Sequence, residues 1–186
     1  KINVAGGATA FDFAKTSGLT KVQLDDDGTA RIATLTDLYA GVTVEVEHGI
    51  TASGVVIDQV NKTDLDNTQT VEIKTTATDT HTYSIDASDI ETLTVKMSDA
   101  SKIDLSSNAM TTSGKTSTLL LTGKTAATLT AVHTDITTID ASGMTQGGSV
   151  TQEARSTTGA VNYTGSVGND SLILGNAADV LVGGEG

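Results

Sequence analysis

Aspartate stands at positions 170 and 179, nine residues apart, and each is followed two residues later by a leucine, Leu172 and Leu181. Glycine surrounds them, in GSVGNDSLI from Gly165 and in LGNAADVLV, and the chain then runs into GGEG from Gly183 to Gly186. Carboxylates beside flexible glycines suit a hard divalent cation. Calcium takes roughly six to eight oxygen ligands in a forgiving geometry, so side-chain carboxylates and backbone carbonyls serve it together. Glycine permits the tight turn that aims several carbonyls at one point. The leucines two positions on would point inward and anchor the strand after each turn.

Other residues are weaker candidates for chemistry. Asp25, Asp26 and Asp27 precede Gly28 in an acidic turn, but they lack the alternating ligands and distant glutamate of an EF-hand loop. Asp64, Asp66 and Asn67 read the same way, as solvated turns. His48, His81 and His133 are isolated, with no HExxH pair for zinc. There is no nucleophile elbow and no phosphate-binding P-loop, so the expectation is a protein that is not an enzyme. The sequons at Asn61 and Asn162 are of a kind that arises often by chance.

The composition sets the frame for these residues. The chain has 186 residues, a formal net charge of −12 and only 11 Lys and Arg, which disfavours nucleic acid and anionic membrane surfaces as partners. No apolar run approaches the ~20 residues of a membrane-spanning helix, so no direct membrane insertion is expected. Cysteine, proline and tryptophan are absent, which removes disulfides and thiolate metal sites. Threonine is the most frequent residue, and aromatics make up only 3%. That balance favours strands over a thin core, and the expected fold class is all-β.

The positioning elements show a repeat. IDAS at 85–88, IDLS at 103–106 and IDAS at 139–142 place Ile85, Ile103 and Ile139 at multiples of eighteen, with Leu121 on the missing rung. A second ladder joins Leu93 to Leu129 through Thr111. Eighteen is twice nine, so the spacing predicts a parallel β-solenoid, a β-helix or β-roll, over the C-terminal half, with aliphatic columns inside. Asp86, Asp104 and Asp140 could then form an aspartate column, and Ser88, Ser106 and Ser142 are expected to cap turns. The TQGGS segment near Gly147 breaks the period and reads as a loop. In the N-terminal half, VTVEVE, VVID and TVEIK alternate as half-buried strands without that step, which predicts a β-sandwich-like or irregular β portion, the latter an irregular solenoid. FDFAKTSG at 11–18 suggests a short helix. The division expected is 1–82, 83–164 and 165–186.

The terminal stretch resembles the calcium-binding nonapeptides of the repeats-in-toxin family, whose consensus is G-G-x-G-x-D-x-aliphatic-x. Gly165, Gly168, Asn169 and Asp170 fit one copy, Asp179 a second that carries Ala177 where glycine belongs, and Gly183 and Gly184 open a third. The resemblance implies Ca2+ held between turns two nonapeptides apart, with Gly165, Gly168, Asn169, Asp170, Asp179, Gly183 and Gly184 as the metal-site residues. The partner of Asp170 would then lie at position 188, and Val161 is the position matching Asp179. The start at Lys1 and the third copy broken at Gly186 suggest a piece of a longer polypeptide.

With its threonine-rich strands and I-D-A-S coils, the chain resembles, over residues 30–186 in style and at 165–186 in motif, type I-secreted surface-layer proteins of Gram-negative bacteria, of the Caulobacter kind. That resemblance implies export of an unfolded chain, folding outside the cell where calcium is abundant, and self-association into a surface lattice. A stalk of a large secreted adhesin, or the export and folding region of a calcium-dependent hydrolase, would share these features.

Overall fold

The computed structural model describes residues 2–4, 9–26, 32–48, 53–60, 66–75, 82–112, 114–155 and 159–186. Asp27, Gly28, Asn61, Asp64 and His81 lie outside the described residues. Among the described residues every regular element is a strand. In chain order these are β1 (Ile2–Val4), β2 (Thr9–Asp12), β3 (Lys21–Asp26), β4 (Ile32–Leu38), β5 (Thr43–His48), β6 (Ser53–Gln59), β7 (Thr68–Thr75) and β8 (Thr82–Asp86). They continue as β9 (Thr92–Met97), β10 (Ser101–Leu105), β11 (Ser117–Gly123), β12 (Ala127–Val132), β13 (Ile136–Met144), β14 (Val150–Gln152), β15 (Asn162–Thr164) and β16 (Val180–Val182).

Odd-numbered strands form one sheet, ordered β1-β3-β5-β7-β9-β11-β13-β15-β16, and even-numbered strands form the other, β14-β12-β10-β8-β6-β4-β2. The pairings are parallel throughout. The chain therefore alternates between two facing sheets as it advances, which is a β-solenoid of two strands per coil.

The alternation of side chains along each strand explains the layering. In β11 the buried positions are Ser117, Leu119 and Leu121, with half-buried residues between them. Inward residues stack coil upon coil: Gln69, Leu93, Leu119, Ile139, Tyr163 and Leu181 form one column, unevenly spaced along the chain. Each fully buried Leu or Ile in such a column contributes roughly 1.5–3 kcal/mol. Outside, Thr68, Thr92, Thr118 and Thr138 stand in register, where β-branched side chains suit a pleated, partly covered surface.

These registers correct the eighteen-residue ladder. Ile85 and Ile103 lie in β8 and β10 of one sheet, Leu121 and Ile139 in β11 and β13 of the other. Ile103 stacks on Tyr83 and Leu129, while Leu121 stacks on Val95. Leu93 and Leu129 are likewise in different sheets, and Thr111 is an exposed loop residue. All four rungs of the first ladder are buried, but turns of variable length set the coil, and in the column above only the Tyr163–Leu181 step spans eighteen positions.

Of the two readings of the N-terminal half, the structure has the irregular solenoid and shows no separate sandwich among the described residues. Strands β3, β5 and β7 continue in the same parallel sheet as β9 and β11. The Thr43–Thr70 step is half as long again as the eighteen-residue ladder, which hides this continuity from any search for a fixed period. FDFAKTSG is no helix: Phe11 and Asp12 end β2 and a turn follows, with the Thr16 amide donating to the Phe13 carbonyl at 2.9 Å. Residues 145–149 do form a loop, in which Gln146 and Gly147 take positive φ.

Candidate metal site at the terminal coil

The glycines after β15 and β16 bring two turns into direct contact. The Gly165 amide donates to the Val182 carbonyl at 2.8 Å, and the Glu185 amide to the Ser166 carbonyl at 3.2 Å. A Cβ at Gly165 would come within 2.6 Å of the Gly184 amide nitrogen, and one at Gly184 would overlap the Ser166 carbonyl. Gly183 has open space around it, so its role in this packing differs from that of its neighbour. Turns 165–168 and 183–186 are thus stacked one coil apart, at the separation that Tyr163 and Leu181 set.

Asp170 sits against the first of these turns. Its Oδ1 accepts from the Val150 amide at 2.8 Å and from the Ser166 hydroxyl at 2.6 Å, and its Oδ2 accepts from the Ser166 amide at 2.8 Å. Asn169 is exposed beside it. Burial and the neighbouring Asp170 carboxylate hold the Tyr163 phenol well above its usual range. Gly168 donates to the Gly148 carbonyl at 3.0 Å, so this turn is also tied to the preceding coil.

Asp179 lies on the other side. Its Oδ1 accepts from the Val161 amide at 2.9 Å, one coil earlier. The structure therefore brings Gly165, Gly168, Asn169, Asp170 and Gly184 together, with Gly183 in the same turn, and leaves Asp179 apart from them. Among the described residues no three acidic or histidine side chains converge as a metal cluster. The oxygen-only donor set of Asp170 and the two glycine turns suits calcium in residue type.

The I-D-x-S segments at 85–88 and 103–106 cap turns as expected, whereas Asp140–Ser142 lies inside β13. The amides of Ser88, Ser106 and Ser142 donate to Asp86, Asp104 and Asp140 Oδ1 at 3.3, 2.8 and 2.9 Å. The aspartate column does not form, because Asp104 pairs with Ser84 and Asp140 lies in the opposite sheet.

Sequence reasoning missed a family of clamps between neighbouring coils. Asp89, buried and at φ 61, accepts from the Thr111 amide and hydroxyl. Glu91 accepts from the Asn67 amide, Asp135 from that of Met110, and Asn108 joins the Ala87 amide to the Ile85 carbonyl. Their shared signal is an acidic or amide side chain just outside a strand, which becomes readable only once the coil length is known.

Comparison with protein-family models, with curated proteins and with solved structures returns no match.

Proposed function

We propose that the chain is a structural, non-catalytic segment of a secreted, calcium-dependent bacterial protein that assembles into a cell-surface layer. The observation that carries this reading is the stacking of glycine turns 165–168 and 183–186 one coil apart, with Asp170 beside them. Asp170 and carbonyls of those turns would hold the cation, with Asn169, Gly165, Gly168, Gly183 and Gly184 shaping the loop. Bound calcium would offset carboxylate repulsion in a chain of net charge −12 and tie adjacent coils together, so metal affinity becomes folding free energy. The parallel stack supports a scaffold role, since its repeating outer faces offer extended surfaces for self-association.

Electron microscopy of the purified full-length protein with calcium and after chelation tests the reading. Ordered sheets that dissolve on chelation are expected. Separate rods or globules at every calcium level would replace the lattice with an adhesin stalk or an enzyme appendage, and sheets that survive chelation would remove the metal from assembly.

A further inference from the structure

The interior changes character at the last full coil. Leu105 and Val132 stack in one inward column, and the next residue in that column is Arg155, paired with Val132. Arg155 is 8% exposed. Its Nη2 donates to the Ile136 carbonyl at 2.9 Å, while Nε and Nη1 are buried without a partner among the described residues. A buried guanidinium left so incomplete is costly unless an opposite charge lies close by. The coil above Ile136 is that of Val161, and the Val161 amide already holds Asp179. Burial lowers the proton affinity of Arg155, and the Asp179 charge acts in the opposite sense.

The sequence of this side differs from that of the Asp170 side. One coil before Asp179 stands Val161, apolar and 3% exposed, where a second carboxylate would be needed for a metal row. Leu174 and Ala177 stand at two of the three glycine positions of this copy. We propose that on this side of the solenoid the chain supplies its own cation: Arg155, buried with two nitrogens unpaired one coil before Asp179, is the charge that faces Asp179 across that step without touching it, and their attraction clamps the last two coils without metal. The two aspartates of the nonapeptides then have different work. Asp170 faces the calcium turns, and Asp179 faces an internal guanidinium.

This inference refines the calcium reading but does not depend on it. Thermal unfolding of the full-length chain, in chelator and in calcium, separates the two. Arg155→Met and Asp179→Asn are each expected to lower the midpoint of the terminal coils by about 5 °C in chelator and by the same amount in calcium. The double variant should lose no more than the larger single loss, because both changes remove one interaction. Arg155→Lys, which keeps the charge, should retain most of the midpoint, and this guards against a purely steric effect of the methionine. Asp170→Asn should instead abolish the rise that calcium produces. Additive losses at 155 and 179, or a loss at 179 seen only with calcium, would overturn the clamp. Absence of any calcium effect on the parent chain would sink the calcium reading while the chelator arm still decides the clamp.

Discussion

Glu45 shows how a single acidic residue survives on this crowded surface. It faces outward from β5, yet Lys21 and Lys74 each reach its Oε2 at 2.6 Å and Gln23 donates to Oε1 at 2.7 Å. Together they cover it to 2% exposure. The hydrogen bonds from Lys21 and then Lys74 outweigh burial and hold its carboxyl down at about 2, from an ordinary 4.5. A depressed carboxylate contributes stability that is full above the unfolded value and is lost as pH falls through the folded one. The contribution should therefore fade between pH 4.5 and about 2. Glu45→Gln is expected to lower the unfolding midpoint at neutral pH, to flatten its decline across that window, and to match the parent chain at the acid end. Thermal unfolding at a series of pH values checks this, and parallel curves for the two proteins would count against the Lys21–Glu45–Lys74 cluster. Nothing in the sequence points to Glu45, because its two lysines lie a full coil away on either side and meet it only through the registers of β3, β5 and β7.

At the scale of elements, strands are legible in the sequence and their stacking is not. VTVEVE, VVID, TVEIK and TLLLTG all lie on strands, since alternation and β-branched residues act locally. Which strand lies above which depends on the turns between them, and those vary so much that the Thr43–Thr70 step far exceeds the Tyr163–Leu181 step. The I-D-x-S segments illustrate the difference. Their isoleucines lie inside, as the pattern predicts, and Asp86 and Asp104 adjoin turns while Asp140 lies within β13, yet the regular spacing is not the coil. In Asp104 and Asp140 the carboxylate accepts from the serine amide two residues on. Asp104→Ala and Asp140→Ala should each cost about 1 kcal/mol, as for the loss of one side-chain to backbone hydrogen bond. Ser106→Ala and Ser142→Ala keep the amide donor and should fall within about 0.5 kcal/mol of the parent. Urea unfolding of the four variants decides it, and equal losses for serine and aspartate changes would show that the hydroxyls hold these segments as much as the carboxylates do.

The molecule is a stack of coils in which each coil is covered by its neighbours. Central columns are closed above and below, and Leu181 continues one of them by its register on Tyr163. In such a one-dimensional array each coil is stabilised by its neighbours, so opening starts at an end and moves inward. The candidate metal site lies in that terminal coil, and the nonapeptide spacing is legible there because the coil has shortened to the length of two repeats. If calcium binds at Asp170 and the turns 165–168 and 183–186, it should slow amide exchange most in residues 159–186, less in β13 and β14, and little in β5 and β7. Hydrogen exchange with and without calcium reads this gradient directly. Equal protection along every strand would mean that the stack opens as one cooperative unit, and no change in 159–186 would mean that the terminal coil is held by Asp170, Asp179 and their amide partners alone.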